Sequence, residues 1–275
     1  MKSMKKVLFI AIIALIVAVG VGSCAAGLFD SGSNDSNANQ GNVTGEIKLA
    51  AAASLKNAFD KDLIPMFEKK YPGVKVTPTY ASSGDLQTQI ENGLKADVFM
   101  SAANKQMNAL AKENLVDNKT NVQSLENKVV LIVPKDSKNN ISSFDDLKNV
   151  NGKIAIGDPE SVPAGQYAKE VLNNTGIWGD VESKLSLGTD VTAVLNQVSQ
   201  GSADCGIVYA TDAKSDENVK VVCEAPEGSL KTPVIYPVAV LSNSSNPDGA
   251  HAFVDFLQTK EAKDVFVDYG FTIHG

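Results

Sequence analysis

Five short stretches of the chain carry groups that could donate hydrogen bonds to an anion. Ser54 follows the small apolar run Ala50-Ala51-Ala52-Ala53, where a strand would hand over to a helix, and Ser83 repeats that arrangement after Tyr80-Ala81-Ser82. At a third helix start, Val162-Pro163-Ala164-Gly165, Pro163 needs no donor and the small residues leave the backbone amide of Ala164 uncovered. Val191 opens a fourth helix after Thr189-Asp190, and Tyr209 ends the buried-type strand Cys205-Gly206-Ile207-Val208-Tyr209. A helix N-terminus has backbone N–H groups without intrahelical partners and a partial positive charge, so it favours an anion or a capping oxygen. No Arg or Lys lies within these stretches. A small, fully ionised oxyanion can still be held by several amides and neutral hydroxyls, each charge-assisted bond contributing about 1.5–3 kcal/mol. A site made only of donors offers nothing to a ligand that keeps a proton, so it prefers dianions without one. For each serine taken singly, the more common role is a helix N-cap, and that reading of Ser54 stays open beside the ligand reading.

The elements that would position these groups alternate between strands and helices. An alternating strand, residues 46–50, leads through Ser54 into a helical segment that extends to about Lys70 and is interrupted at Pro65. A second strand runs from Val74 through Tyr80, a helix is expected over 85–90, and a third strand over 96–102 precedes a helix through Met107 and Leu110. This β-α-β-α-β-α order implies a mainly parallel sheet covered by helices, with ligands beyond the carboxyl ends of its strands. The apolar strand 128–134 leaves for a second sheet, where the pattern restarts: a short helix at 142–147, a strand at 153–159, a helix at 166–172, and a helix at 191–199. The strand 234–241 returns to the first sheet, and helices at 250–257 and 260–269 close it. The expected fold is therefore α/β and two-lobed, each lobe a mainly parallel sheet flanked by helices, with the ligand cleft between them. Residues 46–127 plus 234–275 make lobe 1 and residues 128–233 make lobe 2.

Residues 1–24 stand apart. Lys2, Lys5 and Lys6 precede an uncharged apolar run that is too short for a comfortable membrane span, and Val21-Gly22-Ser23-Cys24 resembles a lipobox. A lipoprotein signal peptide with lipidation of Cys24 is expected, placing the protein on the outer face of the cell membrane; an uncleaved anchor or an ordinary signal peptide are the alternatives. Residues 25–45, rich in Ser, Asn and Gly, read as a flexible tether. The formal charge of −7 becomes −10 once the three lysines of residues 1–24, which carry no acid, are removed. Such a chain attracts neither nucleic acid nor anionic lipid. An anionic ligand would have to be held by local dipoles against the global field. Cys205 and Cys223 could pair outside the cytoplasm, and the sequence leaves this open. Neither has metal-ligand spacing, and the only histidines, His251 and His274, suggest no Ser-His-Asp arrangement.

The stretches AAASL (51–55), YASSGDLQ (80–87), ADVFMSA (96–102), GDPESVPAGQYAKE (157–170), GIVYATDA (206–213) and YGFTI (269–273) agree in order and spacing with one family. Over residues 46–275 the chain resembles the molybdate-binding proteins of molybdate ABC transporters. The resemblance implies the type II periplasmic binding protein fold and a tetrahedral oxyanion, molybdate or tungstate, held without direct positive charge. Carried over by motif, it implies ligand contacts from the hydroxyls of Ser54, Ser83 and Tyr209 and the backbone amides of Ala164 and Val191, with no direct metal-ion ligand. Gly84 stands where relatives often carry a further hydroxyl, so no third serine donor is implied, and Cys205 and Cys223 lie outside the family pattern. Archaeal tungstate/molybdate-binding proteins that use carboxylates match less well; their acids would be Asp158 and Glu160, which read here as a solvated turn around Pro159. The implied function is capture of molybdate or tungstate and delivery to the permease and ATPase subunits of an ABC importer, by a monomer that is not an enzyme and needs no cofactor. A carrier of another tetrahedral oxyanion, such as sulfate or phosphate, is the alternative, and an enzyme on the same fold a more distant one.

Overall fold

The computed structural model describes residues 43–275, so the signal segment, Cys24 and nearly all of the 25–45 tether lie outside the described residues. Eleven strands form two sheets. In the first are β1 (Gly45–Ala52), β2 (Val74–Ala81), β3 (Val98–Met100) and β4 (Val122–Asn127). The chain then crosses through Lys128 alone into the second, with β5 (Val129–Pro134), β6 (Ile154–Gly157), β7 (Leu185–Gly188), β8 (Cys205–Tyr209) and β9 (Val219–Glu224). It returns as β10 (Val234–Val240) and ends with β11 (Thr272–Ile273). The spatial orders are β11-β4-β10-β3-β1-β2 and β7-β6-β8-β5-β9. We refer to the elements around the first and second sheets as the first and second lobes.

Both sheets are mixed rather than mainly parallel. Parallel pairing joins β1 to β2 and β3, and β6 to β7 and β8. The crossing strands β4, β5 and β10 pair antiparallel with their neighbours. Parallel neighbours need a crossover of a dozen or more residues, usually a helix, whereas these strands are reached by direct passage between the sheets. The parallel portions are the ones whose carboxyl ends hand over to helices.

The period of two along each strand divides the first core. Ile47, Leu49 and Ala51 of β1 and Val98 and Met100 of β3 face the helical stretch 53–70 and the helices Pro247–Leu257 and Lys260–Asp268. Ala50 and Phe99 face the helices Ser83–Glu91 and Asn104–Lys112 through Leu86, Ile90, Met107 and Leu110. On the first face Phe59, Phe67, Phe253 and Phe266 interlock, with Phe67 and Phe253 ring centroids 4.9 Å apart and edge-to-face. Pro65 does not break the helical stretch. It stands in the first turn of the α-helix Ile64–Lys70, where a proline N–H is not needed, and a π turn over Phe59–Leu63 precedes it.

Strand β5 lies between β8 and β9 and separates the two cysteines. Two strand spacings amount to about 9.5 Å, beyond the Cα separation a disulfide spans. Cys205 and Cys223 are accordingly free thiols, and burial pushes Cys205 up to about 12.

Candidate functional site

The first wall of the cleft comes from the ends of β1 and β2. After Ala52 the chain enters a 3-10 turn, Ala53–Leu55, that no side chain caps. Ser54 Oγ lies instead 2.9 Å from the hydroxyl of Tyr236 on β10, so the capping reading of Ser54 gives way to a contact across the sheet. At the second helix start the roles divide between adjacent serines. Ser82 is the cap, its Oγ accepting the Asp85 N–H at 3.0 Å. Ser83, the first helical residue and fully buried, is thereby free of capping, and its Oγ accepts the Ala102 N–H at 2.9 Å. A backbone N–H can only donate, so the hydroxyl hydrogen of Ser83 remains available to a ligand.

The second wall is mostly backbone. The helix Pro163–Asn174 starts three residues earlier than its apolar pattern suggested, because Pro163 is set for a first turn. Val162 provides no side-chain cap, and the Ala164 amide is among the leading N–H groups without an intrahelical partner. Gly165 lets this helix press on β6: a Cβ there would collide with the Gly157 carbonyl. Val191 opens the helix Val191–Ser199. The carboxylate of the preceding Asp190 accepts the Ala193 N–H at 2.8 Å, which leaves the Val191 amide to the cleft. Tyr209 ends β8. Its ring meets Tyr167 and Tyr236 at 6.4 and 5.8 Å, and its buried hydroxyl has no hydrogen-bond partner among the described residues. Burial holds this phenol well above its usual pKa, so it is a donor at neutral pH. Behind it, burial raises Asp212 to about 7, while the Tyr209 N–H donates to its carboxylate at 3.2 Å.

Ser54, Ser83, Ala164, Val191 and Tyr209 all line one cavity, together with Ala52, Ala53, Ser82, Ala102, Pro163 and Asp190. Its volume is about 10 Å³, against 220–260 Å³ for three surface hollows elsewhere. Space of that order is about what one water occupies, so the walls stand close together and a tetrahedral oxyanion would need them to part slightly. Two contacts join the lobes near the cavity. The Gly84 N–H donates to the Ser161 carbonyl at 2.9 Å, and a Cβ at Gly84 would obstruct that approach. Gln106 Nε2 donates to Gln166 Oε1 at 3.3 Å. Among the described residues no lysine lines the cavity, and the chain contains no arginine. Asp190 is the single carboxylate on the wall, and it is engaged by its own helix.

Among the described residues no three His, Cys, Asp or Glu side chains are grouped to hold a metal ion. His251 is exposed on the helix Pro247–Leu257, and His274 pairs with Glu126. Asp158 and Glu160 do not line the cavity; the Asp158 carboxylate accepts the Glu160 N–H within their own turn. Tyr236 and Asn127 were absent from the sequence expectation. The available signal was a phenol inside the apolar strand Val234–Val240, since a buried tyrosine hydroxyl usually finds a partner.

Residues 47–272 match the model of the family described as bacterial extracellular solute-binding protein. The chain is 42% identical over 234 residues to the molybdate-binding protein ModA of Escherichia coli, a match covering 83% of this chain and 90% of that one. It is 36% identical over 236 residues to the protein of the same name from Haemophilus influenzae, covering 84% and 91%. Among solved structures, the Azotobacter vinelandii periplasmic molybdate-binding protein superposes with a TM-score of 0.73 at 20% identity, covering 83% of this chain and 100% of that one, which speaks to the fold. A two-lobed α/β architecture and a match over nearly every described residue place this chain in the bacterial extracellular solute-binding protein family.

Proposed function

We propose that the protein captures a tetrahedral dianion, molybdate or tungstate, outside the cytoplasm and delivers it to the permease and ATPase subunits of an ABC importer. The observation that carries this reading is the convergence of three hydroxyls and two helix-start amides on one small cavity that no lysine lines among the described residues, in a chain without arginine. Such a wall stabilises a fully ionised oxyanion by charge-assisted bonds, while a proton kept by the ligand, as on phosphate at neutral pH, would meet a Ser83 oxygen already filled by the Ala102 N–H and a single carboxylate, Asp190, that already accepts from Ala193. The relatives named as molybdate-binding proteins support the choice of ion. In this reading Ser54, Ser83 and Tyr209 donate through hydroxyls and Ala164 and Val191 through amides. The protein acts as a monomeric carrier, not as an enzyme, and is held to the membrane by a lipid on Cys24.

Residues 43–275 lie within one compact unit suited to calorimetric titration. Molybdate and tungstate should bind tightly, and sulfate and phosphate weakly or not at all. A preference for sulfate would replace the reading with its nearest alternative, and no heat from any of the four would end it. For the anchor, Cys24→Ala should release the protein from membranes into the medium; unchanged membrane retention would argue for an uncleaved segment.

A further inference from the structure

We propose that Asn127 and Tyr236 are positioning residues that set the direction of the Ser54 hydroxyl, so that its hydrogen points into the cavity. This rests on the anion-binding reading above. The argument begins at a group whose hydrogen cannot be misplaced. The backbone N–H of Lys128 donates to Asn127 Oδ1 at 2.9 Å, and because an amide N–H has no acceptor role, the orientation of the Asn127 side-chain amide follows. Its Nδ2 therefore faces the other way, where it has two oxygens within reach: Thr211 Oγ1 at 2.9 Å and Tyr236 Oη at 3.2 Å. One hydrogen goes to each.

Tyr236 Oη thus accepts, and its single hydrogen must be directed elsewhere. The Tyr209 hydroxyl beside it makes no hydrogen bond among the described residues, so the acceptor that satisfies this hydrogen is Ser54 Oγ at 2.9 Å. Ser54 in turn accepts from the phenol and keeps its own hydrogen for the cavity that it lines. Asn127, Thr211 and Tyr236 are all buried, so water does not compete for these bonds. The result parallels Ser83, where a backbone N–H from Ala102 occupies the serine oxygen directly. In both cases a protein donor fills the hydroxyl's acceptor site, and the hydroxyl becomes a donor of defined direction. At Ser54 the donor is two side chains removed from the backbone.

The chain of bonds also lies where the lobes join. Asn127 is the last residue of β4 before the crossing, Tyr236 is on the returning strand β10, and Thr211 belongs to the second lobe. A single amide group thereby touches both crossings and the opposite lobe.

The test is a double-mutant cycle in the purified full-length protein, read by calorimetric titration with molybdate, with thermal melts to establish folding. Tyr236→Phe preserves the ring packing against Tyr209 and Phe271 and removes only the donor. It should weaken molybdate binding roughly threefold to tenfold. In a Ser54→Ala background the same change should alter Kd less than twofold, because its target is gone. An equal loss in both backgrounds would reduce Tyr236 to a hinge residue and overturn the proposal, as would no loss in the wild-type background. Asn127→Asp provides a second arm. A carboxylate keeps the bond from the Lys128 N–H but accepts from Tyr236, which turns the Ser54 hydrogen back toward the phenol and leaves an oxygen lone pair facing the anion. It should weaken binding more than Tyr236→Phe does; wild-type affinity in a folded Asn127→Asp protein would overturn the proposal. A wild-type protein that does not bind molybdate would remove the anion-binding reading itself, an outcome separate from these comparisons among variants.

Discussion

The two walls of the cavity present donors to the same small space by different means. On the first lobe the donors are serine hydroxyls, whose direction is free until a partner occupies the oxygen. Ser83 has the Ala102 N–H and Ser54 has the Tyr236 hydroxyl for that purpose. On the second lobe the Ala164 and Val191 amides receive their direction from the helices they begin, so no side-chain partner is needed. Tyr209 is the exception on that wall: a buried hydroxyl with nothing to bond among the described residues. Leaving such a group unpaired costs about 1–3 kcal/mol, a cost that a bound anion would offset. One wall is therefore oriented by hydrogen bonds, the other by secondary structure, and mutation should affect them differently.

The largest effect should come from disturbing the backbone wall. Gly165→Ala puts a Cβ against the Gly157 carbonyl and must shift the helix start that aims the Ala164 amide. Overpacking of this kind costs about 1–3 kcal/mol of stability, visible in a thermal melt. Molybdate affinity should fall by about 100-fold as amide contacts worth about 1.5–3 kcal/mol each are lost. A folded Gly165→Ala protein with wild-type affinity would show that this wall does not hold the ligand.

Next in size is a contrast between two hydroxyls. Ser83→Ala removes a donor and strands the buried Ala102 N–H, so binding should weaken about tenfold or more and stability should drop by about 1–3 kcal/mol. Tyr209→Phe should weaken binding to a similar degree but leave the ligand-free protein as stable as wild type, or more so, because the unpaired hydroxyl is gone. Chemical denaturation without ligand separates the two. Equal destabilisation by both changes would break the distinction between partnered and unpartnered donors.

The smallest effect on affinity concerns the support behind Tyr209, whose signature is in stability. Burial raises Asp212 from 3.8 to about 7, so the folded state holds a proton that the unfolded chain releases. The stability it contributes is complete below about pH 4 and is lost as pH rises to about 7, with a slope of at most about 1.4 kcal/mol per pH unit. Asp212→Asn keeps an acceptor for the Tyr209 N–H and should flatten stability across that window. An unchanged pH profile in denaturant melts would place the proton elsewhere.

Much of this arrangement was legible in the order of small residues and helix starts. Ala50 to Ser54, Tyr80 to Ser83 and Val162 to Gly165 each mark a strand handing over to a helix, and local chemistry suffices to indicate uncovered amides there. What was not legible was which oxygen did what. Ser82 and Ser83 are adjacent and chemically identical; only the geometry of the turn assigns capping to the first and leaves the second free. Strand β4, with the polar sequence VQSLEN, lacked the apolar alternation that marks a strand and went unread, and with it the site of Asn127. Parallel pairing was overestimated because strand direction depends on how the chain passes between sheets, which periodicity does not encode.

By itself the sequence determined the alternation of strands and helices, the acidic balance, the absence of arginine, and the set of donors without nearby cations, because these depend on residue type and local spacing. Only the tertiary structure decided that five sites separated by up to 155 positions share one cavity, that β5 keeps the two cysteines apart, and that the bonds of Asn127 and Tyr236 lead to Ser54. The physical reason is that the direction of a hydroxyl hydrogen depends on its neighbours in space, and those neighbours, Tyr236 for Ser54 and Ala102 for Ser83, are distant in the chain.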